Sequence, residues 1–206
     1  MAAGLTFHPA TPDRWPDVRA LFGPRGACGG CWCMWPRLPS AEYKRGLGDG
    51  NRRRLQKLVA SGAEPGIIAY AGDEPVAWCA LAPREQYARL ATSKVMAPVD
   101  DRPVWSVVCF FVTREWRGRG VTVQLLDAAA RYAAAHGATL LEGYPIAAKS
   151  RQSAAFVWTG LASAFVAAGF EEVARRSPTR PIFRRAVRAR SPVRRAGTQA
   201  KARPRG

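Results

Sequence analysis

The segment 104–136 constrains the fold of this chain more than any other part of the sequence. Residues 104–112 are almost entirely apolar, which is typical of a strand covered on both faces of a sheet. A turn rich in Arg and Gly follows, and apolar residues then recur at helical spacing until Gly137 ends the pattern. The segment therefore predicts a buried strand, a basic turn and a helix.

The turn between this strand and this helix has the composition of an anion-binding site. The first turn of a helix leaves backbone N–H groups unpaired and carries a partial positive charge. Gly118 and Gly120 let an anion approach the backbone closely, and the neighbouring arginines add full positive charges. Two known phosphate motifs do not fit, because Val123 stands where a dinucleotide loop needs Gly and no Gly-Lys-Ser/Thr is present. The turn predicts a pyrophosphate site, and the alternative is a basic surface turn.

The remaining sequence alternates between short strand patterns and helical patterns. Single strands are expected at 5–8 and 139–144, and hairpins at 66–70 with 76–81 and at 170–174 with 181–185. Helices are expected at 12–22, 40–45, 51–61, 84–92 and 159–168. This order predicts an α+β sandwich, with one mixed, mainly antiparallel sheet, a β-α-β unit in its middle and helices on both faces.

Length and charge divide the chain into a folded domain and a tail. With 206 residues, of which 48% are apolar, residues 1–187 are expected to form one domain. Residues 188–206 contain many basic residues, no acidic residue and no apolar periodicity, which predicts a disordered tail. Much of the net charge of +17 therefore lies in or near this tail. It is expected to contact nucleic acid only weakly, through phosphate charge, or to act as a solubilising extension.

The sequence also carries information on the compartment. No apolar run approaches the roughly 18–20 residues of a membrane helix, and no basic segment followed by an apolar stretch opens the chain. The sequence has five cysteines, an odd number that cannot all pair in disulfides within one chain, and two of them lie within predicted strands. We therefore expect a cytoplasmic protein with reduced thiols and no membrane partner.

The block from Val112 to Leu126 resembles the acyl-CoA signature of the GNAT superfamily of N-acetyltransferases. That signature, R/Q-x-x-G-x-G/A, follows a strand and opens a helix, and Arg117, Gly120 and Thr122 stand at its defining positions. Thr122 departs from the usual Gly or Ala, but it is small.

Two further stretches support the resemblance, which extends over roughly 5–185. Ala162 to Phe170 is similar to the late helix of the family, which ends in an aromatic residue, three further residues and Gly-Phe. The hairpin pattern at 66–78 is similar to the central hairpin of the family. The order of elements inferred from the residues alone agrees with the GNAT fold.

The resemblance implies acetyl-CoA as co-substrate and no metal. In the family, the strand before the loop splays from its neighbour, and the pantetheine arm bonds to its backbone. The corresponding residues here are Phe110, Phe111 and Val112. The amides that would hold the pyrophosphate belong to Arg117, Gly118, Arg119, Gly120, Val121 and Thr122.

The usual catalytic groups of the family are replaced in this sequence. Members transfer the acyl group by direct attack of an amine on the thioester, helped by a general base and acid. Ser106 stands near the position of the usual Glu, and Phe165 stands at the position of the usual Tyr. Glu142 and Tyr144 are our candidate catalytic residues, because they lie two apart on one strand and share a face. The alternative is a Glu paired with an arginine and a packed Tyr.

A loop rich in Cys, Gly and Trp follows the first predicted helix. Its cysteines, at positions 28, 31 and 33, lack the fourth ligand and the second C-x-x-C of a structural zinc site, so no metal is expected. A buried apolar loop is one interpretation. The resemblance implies another, in which this loop forms a wall of the acceptor pocket through Trp32, Met34 and Trp35.

These observations predict an N-acetyltransferase that moves an acetyl group from acetyl-CoA to an amine in a ternary complex. The acceptor is a small-molecule or peptide amine that the sequence does not identify, and a homodimer is compatible with the sequence. A non-catalytic acyl-CoA-binding module is the first alternative, because Ser106 and Phe165 replace the usual groups. A nucleic-acid-binding protein that acts through its basic tail is the second.

Overall fold

The computed structural model of the protein describes residues 4–147 and 157–188. Seven strands form one sheet: β1 (Thr6–Pro9), β2 (Gly66–Ala71), β3 (Glu74–Pro83), β4 (Trp105–Val112), β5 (Leu140–Gly143), β6 (Glu171–Arg175) and β7 (Pro181–Ala186). The helices are α1 (Trp15–Phe22), α2 (Ser40–Arg45), α3 (Asp49–Ala60), α4 (Ala88–Thr92), α5 (Val121–Ala135) and α6 (Ala162–Ala167). Short 3-10 turns occur at Pro12–Arg14, Arg84–Gln86 and Arg114–Trp116.

The strand order is β1-β2-β3-β4-β5-β7-β6, and every neighbouring pair is antiparallel except β4 with β5. The parallel pair is joined by the crossover helix α5. The predicted α+β sandwich with a mixed, mainly antiparallel sheet is therefore confirmed.

Each face of the sheet carries its own apolar core. Helix α5 covers one face with Leu125, Leu126, Ala129 and Ala133, which have no exposed surface, as the helical pattern predicted. Helices α1 and α3 cover the other face, together with the loop 23–39. Among the described residues, no helix is long and apolar enough to cross a membrane.

Strands β4 and β5 separate after a short stretch of pairing. They pair only from Trp105 to Val107 on β4, whereas β4 continues to Val112 and β5 ends at Gly143. Tyr144 and Pro145 follow, and Pro145 has no N–H to continue the ladder. On the other side of β4, its register with β3 shifts by one residue at Val108. The splay leaves a gap beside the second half of β4.

The packing of Phe165 at this gap depends on the absence of a side chain at Gly143. A Cβ built at Gly143 lies 2.1 Å from Cε1 of Phe165, whose ring is fully buried. We expect Gly143→Ala to lower the free energy of unfolding by about 1–3 kcal/mol, because the ring must shift within a packed core. Urea unfolding measures this change. Gly50→Ala in α3 is the control, since a Cβ there meets nothing within 4 Å and is expected to be neutral or stabilising. Equal stability of the wild type and Gly143→Ala would contradict this packing.

Candidate active site

The predicted anion-binding loop connects β4 with α5. The Thr113 N–H donates to the Val76 carbonyl at 3.0 Å, and a 3-10 turn then leads into the bend at 117–120. Gly118 and Gly120 both adopt φ 74°, a left-handed conformation that favours glycine. A Cβ at either glycine would meet nothing within 4 Å. Within 4–147 and 157–188, nothing therefore blocks the approach of a ligand to the backbone at these two glycines.

The backbone N–H groups of residues 118–122 donate to no acceptor within the described part of the chain. The first N–H groups of α5 that find partners are those of Val123 and Gln124, both bonded to the Gly120 carbonyl. These donors stand at the positive end of a 15-residue helix, an arrangement that is suited to hold an anion. Two arginines frame the loop. The Nε of Arg117 donates to the Val112 carbonyl at 3.0 Å, and the guanidinium of Arg119 lies 5.3 Å from the Trp116 ring centroid.

The gap beside β4 is spanned by the segment 157–160. The Phe110 N–H, one of the groups predicted to contact pantetheine, donates to the Trp158 carbonyl at 2.6 Å. Phe110 also packs edge-on against Phe165, with ring centroids 6.2 Å apart. Phe111 and Val112 are half-buried and pair with β3. Sequence reasoning missed Trp158, since nothing near it in the chain indicates a contact with β4.

Glu142 and Tyr144, the predicted catalytic pair, lie together in a buried network. The Tyr144 hydroxyl donates to Glu142 Oε1 at 2.5 Å. Arg84 donates to the same Oε1 at 2.8 Å, and the Nε of Arg184 donates to Oε2 at 2.7 Å. Glu142 has no exposed surface. Both of its oxygens are bonded, so it could accept a proton from an amine only after this network opens.

The surroundings of Tyr144 keep its hydroxyl protonated. Burial, and next the negative charge of Glu142, raise the pKa of Tyr144 well above its ordinary value. Its single proton points to Glu142, so Ser106, whose Oγ lies 3.0 Å from the Tyr144 oxygen, donates to it. Ser106, which the resemblance places near the usual Glu of the family, thus joins the network. Phe165, at the position of the usual Tyr, is fully buried.

The network also fixes the segment 84–104 against β5 and β7. Arg84 donates to the Leu90 and Met96 carbonyls at 3.3 and 2.6 Å. Arg184 donates to Asp100 at 2.7 Å, and this contact, with Arg102, holds the pKa of that carboxyl well below its usual range. Sequence reasoning did not identify Arg84, Arg184 or Asp100. The only signal was a Glu in an apolar strand, which needs a buried partner.

The loop 23–39 has a strained backbone, and its residues 32–34 are buried. Ala27, Trp32 and Cys33 adopt positive φ although they are not glycine. Trp32, one of the predicted pocket residues, is buried against Phe22, with ring centroids 5.7 Å apart. Met34 is also buried.

Trp35 is the predicted pocket residue that reaches the gap beside β4. Its ring is half-buried and lies edge-on to Trp158, with centroids 4.7 Å apart. The guanidinium of Arg89 covers the Trp35 ring at 4.4 Å, and Arg89 Nε donates to the Trp35 carbonyl at 2.9 Å. The loop 23–39 and the segment 157–160 therefore meet across the gap.

The cysteines of this region are free thiols. Cys33 is buried and accepts a hydrogen bond from Trp78 Nε1 at 3.2 Å. A hydrogen bond with the Cys109 thiol lowers the pKa of Cys33 and, together with burial, raises that of Cys109. Within the described ranges, no three His, Cys, Asp or Glu side chains lie close enough together to hold a metal ion.

A sheet that splits between two parallel strands, beside an anion-binding helix start, is the architecture expected above for an acyltransferase. Residues 32–156 match the model of the acetyltransferase (GNAT) family, which is more than half of the chain. The chain therefore belongs to the GNAT family, and it is an acyltransferase. No curated protein matches the sequence significantly.

Solved structures of acetyltransferases share the fold at low sequence identity. An acetyltransferase of the GNAT family from Listeria monocytogenes is 10% identical, with a TM-score of 0.55 over 91% of this chain and 99% of that one. The polyamine N-acetyltransferase of Drosophila melanogaster is 10% identical, with a TM-score of 0.53 over 89% and 100%. PaiA N-acetyltransferase from Thermoplasma acidophilum, solved with coenzyme A, is 9% identical, with a TM-score of 0.51 over 89% and 99%.

Proposed function

We propose that the chain transfers an acetyl group from acetyl-CoA to the nitrogen of an amine, by direct attack in a ternary complex. The observation that carries the proposal is the row of N–H groups at 118–122, which have no acceptor in the part of the chain that the structure describes and follow the strand β4 where it separates from β5. The structure of PaiA N-acetyltransferase with coenzyme A supports it, because that protein has the same fold. When bound, acetyl-CoA supplies the thioester that the amine attacks and the thiolate that leaves.

The residues of the loop and of β4 divide the binding of acetyl-CoA between them. The N–H groups of 118–122 fit a pyrophosphate, because they find no acceptor among the described residues and share one helix start. A Cβ at Gly118 or Gly120 would also meet no described atom within 4 Å. The backbone of Phe110, Phe111 and Val112 would hold the pantetheine arm. Since the Phe110 N–H is bonded to the Trp158 carbonyl, this arm must displace the segment 157–160 to reach it.

Glu142 and Tyr144 are our proposed base and acid. The amine must lose a proton during attack, and the leaving thiolate gains one. Tyr144 is in the correct state for an acid, because its raised pKa keeps the hydroxyl protonated. Glu142 must first release Arg84 or Arg184 to free an oxygen. Cys109 needs no part in this reaction, since direct attack uses no cysteine nucleophile.

A thiol-release assay tests the proposed reaction. The protein is mixed with acetyl-CoA and a panel of amines, and free CoA is measured against reactions without protein and without amine. We expect amine-dependent release of CoA. If the protein binds CoA saturably but no amine causes release of CoA from acetyl-CoA, a non-catalytic binding module is favoured. If CoA does not bind at all, both the acetyltransferase and the binding module are excluded.

Trp158 is expected to oppose the binding of CoA. Its contact with Trp35 holds the segment 157–160 in the gap, and such aromatic pairs contribute about 0.5–1.5 kcal/mol. Trp158→Ala should therefore lower the Kd of CoA by about 2- to 10-fold in a calorimetric titration. Trp35→Ala should lower the Kd of CoA to a similar extent. The double variant should lower it little further, because both substitutions remove the same contact between the two rings. A weaker or unchanged affinity in Trp158→Ala would contradict this expectation.

A further inference from the structure

A groove with a volume of about 530 Å³ lies between the loop 23–39, the helix α3 and the 3-10 turn that follows β3. This volume is typical of sites that bind small molecules. Arg37, which lines the groove, donates to the Pro65 carbonyl just before β2 and to the Gln86 side chain just after β3. The groove therefore lies where β2 begins and β3 ends.

The groove is separate from the proposed acetyl-CoA site. The loop 117–120 follows β4 near the start of β3, where Val112 pairs with Ala77. The six residues from there to the end of β3 at Pro83 span about 20 Å. Of the predicted acceptor-pocket residues, Met34 lines the groove, whereas Trp35 reaches the gap beside β4.

Three cationic side chains line the groove: Arg37, Arg54 and Lys57. Arg54 and Lys57 are three residues apart on α3, so they are neighbours on one face of that helix. All 15 Asp and Glu residues of the sequence lie in the described ranges, and none of them lines the groove or forms an ion pair with these three side chains. Like charges at this spacing repel each other, and a bound anion would relieve the repulsion.

The two arginines are held in place by neutral partners. The Nη1 of Arg54 donates to the Glu42 carbonyl at 3.0 Å, and it fits closely over Gly46, where a Cβ would lie 2.3 Å from it. The guanidinium of Arg37 covers the ring of the buried Tyr87 at 4.7 Å. Both arginines are half-buried. Because the two side chains are already ordered, an anion can bind them at a low cost in conformational entropy.

The groove also has an apolar lining. Met34, Leu38 and Leu58 contribute to it, and Met34 is buried while the two leucines are half-buried. A ligand that covers these side chains removes apolar surface from water. The lining therefore suits a molecule that combines negative charge with an apolar group.

We propose that this groove binds a small organic phosphate, that is, a phosphate monoester with an apolar group. A phosphate monoester carries a charge of about −1.5 to −2 near neutral pH, which suits three cations better than the single charge of a carboxylate. Arg54 and Lys57 hold the phosphate, Arg37 adds positive charge, and the apolar side chains contact the remainder of the ligand. This binding site does not rest on the proposed acetyl transfer.

Calorimetric titration of matched probes tests the ligand class. Naphthyl phosphate, naphthol and inorganic phosphate are titrated separately into the protein. We expect naphthyl phosphate to bind about 10- to 100-fold more tightly than naphthol, because naphthol lacks the charge that the cations recognise. Inorganic phosphate should bind about 5-fold or more weakly than naphthyl phosphate, because it lacks the apolar group.

Substitutions on α3 test the place of binding. Arg54→Gln should weaken naphthyl phosphate by about 10-fold or more, and Lys57→Gln, at an exposed side chain, by about 3-fold or more. Arg53→Gln is the matched control, because Arg53 is next to Arg54 on the same helix but is exposed and lies outside the groove. Its affinity should equal that of the wild type. Gly120→Glu should also leave the affinity unchanged, because the loop 117–120 is not part of this site.

Equal binding of naphthyl phosphate and naphthol, equal binding of naphthyl phosphate and inorganic phosphate, or no binding of naphthyl phosphate would overturn the proposal. Equal losses in Arg53→Gln and Arg54→Gln would also overturn it, because they indicate a response to net charge alone. A loss in Gly120→Glu without one in Arg54→Gln would place the phosphate at the loop 117–120 instead. If circular dichroism shows that Arg54→Gln is unfolded, Lys57→Gln decides between these outcomes.

A single-stranded oligonucleotide is the remaining probe, since its backbone also carries phosphate. We expect it to bind more weakly than naphthyl phosphate and to lose no more affinity in Arg54→Gln than in Arg53→Gln. Tighter binding of the oligonucleotide than of naphthyl phosphate would assign the charge of α3 to nucleic acid and would overturn the proposal.

Discussion

Replacing Glu142 with Gln is expected to lower the free energy of unfolding by about 3–5 kcal/mol, the typical cost of breaking a buried ion pair. The carboxylate accepts hydrogen bonds from Arg84, Arg184 and Tyr144 and has no exposed surface. A neutral amide leaves two guanidinium groups without their counterion and points an NH₂ donor at other donors. For a domain of this size, Tm should fall on the order of 10 °C.

Glu172→Gln is the matched control. Glu172 also pairs with an arginine, Arg175, but this pair lies at the surface, with side chains 34% and 39% exposed. Loss of this surface pair should lower the free energy of unfolding by less than about 1 kcal/mol. Thermal unfolding of both variants measures the difference, and equal small effects would show that the buried network does not stabilise the fold.

The same variant tests whether Glu142 is the base. At a temperature where Glu142→Gln is folded, loss of a general base should lower kcat by about 10²–10⁴-fold without weakening CoA binding. An unchanged kcat in the folded variant would show that Glu142 only stabilises the buried network with Arg84, Arg184 and Tyr144. Another group would then have to be the base.

Gly120→Glu is expected to abolish CoA binding. The backbone at Gly120 has φ 74°, which a residue with a side chain adopts only with strain. The new side chain would also enter the open space in front of the N–H groups of 118–122 and place a negative charge there. Repulsion of the pyrophosphate and blockage of its donors act in the same direction, so the loss of affinity should exceed about 100-fold.

Gly72→Glu controls for backbone strain and added charge. Gly72 lies in the β2–β3 turn with φ 61°, and a Cβ there also meets nothing within 4 Å. CoA should raise the Tm of the wild type and of Gly72→Glu, and it should leave the Tm of Gly120→Glu unchanged. Stabilisation of Gly120→Glu by CoA would show that the pyrophosphate binds elsewhere.

Features that depend on neighbouring residues in the chain could be predicted from the sequence. The apolar run before Val112, the turn with Gly118 and Gly120 and the spacing of the helix after it specify β4, the loop and α5 locally. The hairpin of β2 and β3 was predicted for the same reason, since its turn residues lie between two apolar runs. These elements also carry the family resemblance, which the family model confirms.

Features that depend on distant contacts could not be predicted. Glu142 finds Arg84 and Arg184 across separations of 58 and 42 residues, and nothing local selects these two from 32 Lys and Arg residues. The late helix was expected from residue 159, but α6 begins at Ala162. Gly160 has φ 86°, outside the helical region, and Trp158 bonds to β4 instead. Burial of Trp32 follows from the tertiary packing of its loop, which residue type alone does not reveal.

Amide hydrogen exchange with and without acetyl-CoA tests the central claim most directly. The N–H groups of 118–122 have no protein acceptor in the described structure and should exchange rapidly in the free protein. Acetyl-CoA should slow their exchange by about 10-fold or more, while the turn at Gly72 remains unchanged. Protection elsewhere in the chain with none at 118–122 would contradict the proposed site.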